Sequence, residues 1–203
     1  MHQACLGGSF NPIHHGHLIA ACEAKRARAI DRVILMVSAN PPHKRGHDLA
    51  PAHHRYAMAR LAVEGDGRFA VSDLELRREG PSYTFDTVQE LKKGLGPDDE
   101  LSWIVGSDSV GELHTWHRVG ELLEAVRLIV VSRSDRPFAE TARLRGVVGD
   151  EPVERLERDA VRIEPVGVSS TRLRKMTARG ESLRYYTPPA VFNYIREVGL
   201  YSV

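Results

Sequence analysis

Short apolar runs alternate along the chain with segments in which apolar residues recur every three or four positions. The runs predict buried strands, and the periodic segments predict helices packed against them. The predicted strands lie at about residues 4–6, in the stretches DRVILMVSA, FAVSDLEL, LSWIVGSD and RLIVVSR, and in the shorter VRIEPV. Strands that alternate with helices indicate a parallel sheet with crossover helices, so we predict an α/β fold with a doubly wound parallel sheet.

The predicted helices follow these strands. The first begins near Gly16, the second is HHRYAMARLAVEG and ends at Gly65, and the third carries an apolar stripe. Leu122, Leu123 and Val126 indicate a short fourth helix. Within residues 134–162 charged residues outnumber apolar ones and no period holds, which predicts a variable surface segment that can contain short helices. The apolar stripe of the third predicted helix consists of Thr84, Val88, Leu91 and Leu95.

The C-terminal part is predicted to be helical and to pack over one edge of the sheet. SSTRLRKMTARG indicates a helix whose Ser/Thr cluster can cap its free amides. In the last helix Thr187 is the predicted cap, Pro188 and Pro189 open the first turn, and Gly199 ends the helix. Its predicted apolar face consists of Val191, Tyr194, Ile195 and Val198.

Length and charge limit the classes to which this protein can belong. A chain of 203 residues suits one domain, which we predict over residues 1–203, with the α/β core at 1–165 and the helical part at 166–203. With 28 Lys and Arg against 27 Asp and Glu, no overall field attracts nucleic acid or a membrane. Without a leader or a bilayer-length apolar run, we expect a cytoplasmic protein. Cys5 and Cys22 lie in apolar contexts that suit reduced core thiols.

The stretch GGSFNPIHHGHL directly follows the first predicted strand. Gly7 and Gly8 would let the backbone turn tightly near a ligand, and the helix starting near Gly16 would offer unpaired amides to phosphate. His14 and His17 would share one side of the first turn, with Gly16 leaving room for a phosphate or a purine. A metal site and an incidental His-rich loop are the alternatives. Neither a P-loop nor a Gly-x-Gly-x-x-Gly motif is present.

Six sequence blocks along the chain together resemble the motifs of one family. GGSFNPIHHGHL resembles the His-x-Gly-His signature of nucleotidyltransferases. Five other blocks follow it in order: PPHK, REGPSYTFDTVQEL, WIVGSDSVGELHTWHR, VSSTRLR and YYTPPAVFNYIREVGLY. Together they resemble bacterial nicotinate mononucleotide adenylyltransferases from end to end, except at residues 134–162. The resemblance implies transfer of AMP from ATP to nicotinate mononucleotide (NaMN), giving nicotinic acid adenine dinucleotide (NaAD) and pyrophosphate in NAD biosynthesis.

The resemblance also implies roles for individual residues. His14, His17 and Arg174 are the expected catalytic residues, with His17 serving the transferring and leaving groups. Lys44 would meet the mononucleotide phosphate. The expected ATP-binding residues are Gly7, Gly8, Ser9, Phe10, His14, His17, Gly106, Asp108, Ser169, Ser170, Thr171 and Arg174. The other expected acceptor-binding residues are Tyr83 and Thr84 at the ring carboxylate and Trp116 stacked on the pyridine ring.

Some positions depart from the family pattern. Asn11 stands where Asp is frequent, and VSANPPHK lacks the Pro-Asn that often precedes this block, so acceptor contacts around residues 38–40 stay open. Magnesium is expected with ATP, bridged mainly by phosphates and water, and we assign no protein metal ligand. The chain gives no basis for choosing between a monomer and a homo-oligomer.

Two other functions stay open. One keeps the fold but changes the acceptor to nicotinamide mononucleotide or phosphopantetheine. The other is a nucleotide-sensing or RNA-binding module on the same scaffold. Trp116 and the block at 82–84 favour a pyridine acceptor, and the balanced charge argues against RNA. We therefore expect ATP and NaMN as small-molecule partners, and neither nucleic acid nor a membrane.

Overall fold

A six-stranded parallel sheet forms the centre of the molecule. The computed structural model describes residues 1–41, 49–132, 138 and 141–202. The strands stand in the order β3-β2-β1-β4-β5-β6, and every neighbouring pair is parallel. Their bounds are β1 His2–Gly8, β2 Arg32–Val37, β3 Phe69–Ser72, β4 Glu100–Gly106, β5 Arg127–Ser132 and β6 Val161–Arg162. This is the predicted α/β fold with a doubly wound sheet.

Eight α-helices in the described residues surround the sheet. They are α1 His15–Ala27, α2 Ala52–Ala62, α3 Thr84–Lys92, α4 Val119–Ala125, α5 Ala142–Val148, α6 Asp150–Arg158, α7 Ser170–Ala178 and α8 Pro189–Val198. Two 3₁₀ helices lie at Leu74–Arg77 and Ser107–Thr115. None of these described helices is both long and apolar enough to cross a membrane.

The hydrophobic core has two layers, one on each face of the sheet. Successive side chains of a strand point to opposite faces, so Ala4 and Leu6 of β1 lie in one layer and Cys5 lies in the other. The layer with Ala4 also contains buried residues of α1, α2, α7 and α8. Cys5 is fully buried, and burial raises the pKa of its thiol to about 12. Cys5 and Cys22 are free thiols, as predicted.

The connection order places a crevice beside β1. The chain runs outward from β1 to β2 and β3, and then returns to the other side of β1 as β4. In an open parallel sheet, ligands bind outside the carboxyl ends of the strands at such a reversal. The carboxyl ends of β1 and β4 are Gly8 and Gly106, so the fold brings the first sequence motif next to the block that follows β4.

Several local predictions were wrong. Only the first half of FAVSDLEL is a strand, because the second half turns into the 3₁₀ helix at Leu74–Arg77. The described part of residues 134–162 contains the short helices α5 and α6, which the prediction allowed, but α6 buries Val153 and Leu156, so this part is not only a surface segment. Thr187 does not cap α8: its hydroxyl is buried and donates to the carbonyl of Leu183, and Pro188 takes the cap position.

The end of α8 follows the prediction at one position and departs from it at another. Gly199 adopts a left-handed conformation with φ of 70° and ends the helix, as glycine does most easily. Val198, predicted on the apolar face, is 42% exposed. Val191 and Ile195 are buried, and Tyr194 packs against the same core, as predicted; Phe192, which was not predicted, packs there as well.

Candidate active site

Two glycines end β1 and let aromatic rings pack against the strand. A Cβ on Gly7 would lie 2.6 Å from Cζ2 of Trp103, and one on Gly8 would lie 3.1 Å from the ring of Phe10. The predicted tight turn at these glycines is therefore wrong. The strand continues through Gly8, and the chain bends at Phe10, whose φ is 45°.

His14 and His17 lie together at the start of α1. Their rings stack with centroids 3.7 Å apart, and the ring of Phe10 meets His17 edge-on at 5.2 Å. The backbone N–H of His14 donates to Nδ1 of His17 at 3.2 Å. A nitrogen that accepts a hydrogen bond carries no proton, so a neutral His17 ring holds its proton on Nε2. This tautomer can donate a hydrogen bond to a phosphate oxygen.

Gly16 does not provide room for a ligand, contrary to the prediction. A Cβ at this position would lie 3.0 Å from Val168 and 3.1 Å from Nδ1 and Cε1 of His14. Gly16 therefore accommodates the buried ring of His14. The start of α1 also offers fewer amides than predicted, because the N–H of His15 donates to the carbonyl of Tyr186 at 3.1 Å.

The N-terminus of α7 is joined to the loop after β1. The hydroxyl of Ser170 donates to the carbonyl of Pro12 at 2.9 Å, and Nη1 of Arg174 donates to the carbonyl of Asn11 at 3.0 Å. The hydroxyl of Ser169 caps the helix by accepting from the N–H of Arg172. Thr171 is exposed. The structure thus brings the two predicted phosphate-binding motifs together, although both serine hydroxyls are occupied by the protein.

A cavity of about 230 Å³ opens at the carboxyl ends of β1 and β4. Tyr83 stands at the cap position of α3, and its ring stacks on His117 at 4.4 Å between centroids. Trp116 is half-buried beside it. The cavity is lined by Gly7, Gly8, Ser9, Ser38, Pro41, Glu75, Ser82, Tyr83, Thr84, Trp103, Val105, Gly106, Ser109, Glu112, Trp116 and His117.

One wall of the cavity consists of two hydrogen-bonded loops. The N–H of Ser82 donates to the carbonyl of Asn40, and the N–H of Asn40 donates to the hydroxyl of Ser82, both at 3.1 Å. The side-chain amide of Asn40 also donates, from Nδ2, to the carbonyl of Gly80. The loop after β2 is therefore joined to the loop that leads into α3, and its polar groups contact the protein at these points.

Glu75 is a buried carboxyl in this wall that the sequence motifs did not reveal. It is 4% exposed, and Thr87 donates its hydroxyl to Oε1 at 2.8 Å. Burial raises the pKa of the Glu75 carboxyl, although hydrogen bonds, first of all from Thr87, act in the opposite direction. An acidic residue between apolar ones in SDLEL was the available signal, but only the tertiary structure shows its burial.

The remaining predicted residues fall at the rim or outside the described part. Gly106 is exposed and lines the cavity, and Asp108 is exposed on the 3₁₀ helix that follows β4. Thr84 begins α3 and lines the cavity. The prediction for Lys44 lies outside the described residues. In the described ranges no three His, Cys, Asp or Glu side chains group closely enough to hold a metal ion.

Known relatives match nearly the whole chain. A family model described as cytidylyltransferase-like matches residues 5–176. A Thermus thermophilus protein named probable nicotinate-nucleotide adenylyltransferase is 44% identical over 196 residues, covering 97% of each chain. A protein of the same name from Symbiobacterium thermophilum is 41% identical over 198 residues, covering 98% of this chain and 94% of its own.

Solved structures support the same fold. Plasmodium falciparum nicotinic acid mononucleotide adenylyltransferase, solved with NaAD, matches with a TM-score of 0.71 at 20% identity, over 98% of this chain and 97% of its own. The fold, the paired histidines and the adjoining cavity define a nucleotidyltransferase. The chain belongs to the cytidylyltransferase-like family and, within it, to the nicotinate-nucleotide adenylyltransferases.

Proposed function

We propose that the protein transfers AMP from ATP to nicotinate mononucleotide, forming nicotinic acid adenine dinucleotide and pyrophosphate in NAD biosynthesis. One observation carries the proposal. The end of β1, with Gly8 and Ser9, lines the same cavity as Trp116, and the same loop leads on to His14 and His17. A pyridine ring in the cavity and a nucleotide phosphate at the histidines would therefore meet along one loop.

The reaction needs positioning and charge stabilisation rather than a protein nucleophile. The acceptor phosphate would attack the α-phosphorus of ATP in line with the departing pyrophosphate. His17 would donate from Nε2 to the transferring phosphate, and His14 would support it from the stacked position. Arg174 and the first amides of α7 would stabilise the negative charge of the leaving pyrophosphate.

The acceptor would lie in the cavity, with its ring against Trp116. Helix α3 begins at Thr84, and the positive end of its dipole would favour the nicotinate carboxylate over an uncharged amide. Lys44 is proposed for the mononucleotide phosphate, on the family pattern alone.

The nucleotide side is also proposed. Gly106 at the end of β4 and Asp108 on the 3₁₀ helix that follows would lie by the adenosine, and Phe10 would support the loop beneath the phosphates. ATP would act as its magnesium complex, with the metal held mainly by phosphates and water. We place the reaction in the cytoplasm.

Pyrophosphate release from magnesium-ATP tests the function, with NaMN, nicotinamide mononucleotide and phosphopantetheine compared as acceptors. We expect the highest kcat/KM with NaMN. A higher value with either alternative acceptor would change the assigned substrate and retain the chemistry. Release with none of the three would reject the transferase and favour a binding module.

The aromatic cavity can be tested separately. Replacing Trp116 with alanine removes the stacking face, so the KM for NaMN should rise about tenfold while the KM for ATP stays within twofold. Tyr185→Ala is the control, because this tyrosine is 83% exposed. Equal changes in both KM values would place the pyridine ring elsewhere.

A further inference from the structure

Arg55 of α2 is buried, with only 1% of its surface exposed. Its guanidinium makes four hydrogen bonds, all to backbone carbonyls. Nε donates to Ala50 at 2.8 Å, Nη1 donates to Ser9 at 2.8 Å and to Ser38 at 2.6 Å, and Nη2 donates to Ala39 at 3.1 Å. Four of the five N–H groups of this side chain therefore bind backbone of three separate segments.

Two of these segments line the cavity of the proposed active site. Ser9 belongs to the loop after β1 that leads to the histidines, and Ser38 belongs to the loop after β2 in the acceptor cavity. A single nitrogen, Nη1, bonds to both of these residues. The backbone N–H of Ser38 also donates to the carbonyl of Gly8 at 2.9 Å, so Arg55 adds a side-chain link where the pairing of β1 and β2 ends.

The segment at Ala50, whose carbonyl accepts from Arg55, is also held through its backbone N–H. The N–H of Ala50 donates to Oδ1 of Asn11 at 3.0 Å, and the hydroxyl of Tyr201 donates to the same oxygen at 2.8 Å. Asn11 in turn lies in the loop after β1. Arg55 and Asn11 thus both connect the segment at Ala50 to the loop after β1, Arg55 through the carbonyl of Ala50 and Asn11 through its N–H.

A guanidinium suits this position better than any other side chain. A buried charge is costly unless hydrogen bonds satisfy it, and the rigid fork of arginine reaches several acceptors in one plane. Lysine keeps the charge, but its ammonium is a compact point with three donors and no fork. Substitution by lysine therefore separates the charge of Arg55 from its geometry.

We propose that Arg55 is a positioning residue that holds the loop after β1 and the loop after β2 at the separation needed for in-line attack. The proposal rests on the proposed function and assigns this residue no contact with either substrate. A shift of about 1 Å between reacting groups can cost about 100-fold in rate. The loss should therefore appear in kcat, with each substrate still able to bind.

The test compares Arg55→Lys with the wild type and with Arg60→Lys, an exposed arginine further along α2. Circular dichroism and thermal unfolding verify the fold, and kcat and both KM values are measured well below the unfolding midpoint. We expect kcat to fall about 10- to 100-fold in Arg55→Lys, with both KM values within threefold. Arg60→Lys should match the wild type.

A second variant addresses the geometry directly. Arg55→Ala leaves space for a small guanidinium, so millimolar ethylguanidinium should restore part of kcat, whereas equal tetramethylammonium should not. An unchanged kcat in folded Arg55→Lys would overturn the proposal. Unfolding of both variants, or no rescue together with losses explained by the unfolded fraction, would assign Arg55 to stability alone. An inactive wild type would instead reject the proposed function.

Discussion

The imidazole rings of His14 and His17 are nearly parallel, with planes 21° apart and centroids separated by 3.7 Å. The backbone N–H of His14 holds Nδ1 of His17, which assigns the proton of a neutral His17 to Nε2. The first turn of α1 therefore orients one histidine by means of the other. Such a fixed donor requires no reorganisation when charge develops on a phosphate.

His17→Ala should lower kcat about 100- to 1000-fold, because it removes one preorganised donor to the transferring phosphate. His15→Ala is the control at the neighbouring position. Steady-state pyrophosphate release and thermal unfolding would be measured for both variants. Unchanged kcat in a folded His17→Ala protein would contradict the assigned role.

Gly16→Ala should impair catalysis with little effect on stability. The added Cβ would press on Val168 and on His14, and the helical preference for alanine over glycine, up to about 1 kcal/mol in a helix interior, offsets part of this cost. We expect kcat to fall about tenfold, in proportion to a small displacement of the histidine. Gly120→Ala in α4 is the matched control, because nothing lies within 4 Å of its Cβ position. Equal kcat in the two variants would show that the ring of His14 adjusts freely.

Glu75→Gln should stabilise the protein at higher pH. Burial raises the pKa of Glu75 above its ordinary value of 4.5, so the folded state favours the protonated form. The stability linked to this group is present below that value and is lost as the pH rises through the folded pKa. Unfolding midpoints at pH 5 and pH 8 should show a larger gain for the variant at pH 8. Glu79→Gln, at an exposed position, should show no such trend.

Asp159→Asn should show the opposite pH dependence. Hydrogen bonds of 2.8 and 2.6 Å from Arg127 hold the pKa of this carboxyl below its ordinary value of 3.8. Its stabilisation is therefore present at neutral pH and is lost as the pH falls through the folded pKa. We expect a cost of about 1–3 kcal/mol at pH 7, because charged hydrogen bonds are removed.

The measurement is denaturant unfolding at pH 7 and at progressively lower pH, where the difference between Asp159→Asn and the wild type should shrink. Glu154→Gln, an exposed substitution on α6, is the control. A difference that stays constant into acid would show that the ion pair contributes nothing through its charge.

Local sequence was sufficient for the order of the strands along the chain and for the two motifs that the structure brings together. Apolar runs such as RVILMV are buried on both faces of a parallel sheet, so their periodicity identifies them without tertiary information. The extent of β3 and the cap of α8 were mispredicted because apolar composition continues past Ser72 and because Thr187 finds a carbonyl partner inside the core. The partner of Thr187 is the carbonyl of Leu183, only four residues earlier, so a local turn competes with the helix cap.

The sequence by itself determined the fold class and the histidine pair, since each has a local pattern of spacing or residue type, and the family resemblance pointed to Tyr83 and Trp116 in the cavity. Only the tertiary structure decided what fills the space at the glycines, where Trp103, Phe10 and His14 pack. It alone placed Glu75 in the cavity wall and directed Arg55 to carbonyls of three segments. Burial and long-range hydrogen bonds depend on which distant segments the fold brings together, and a short stretch of sequence does not contain that information.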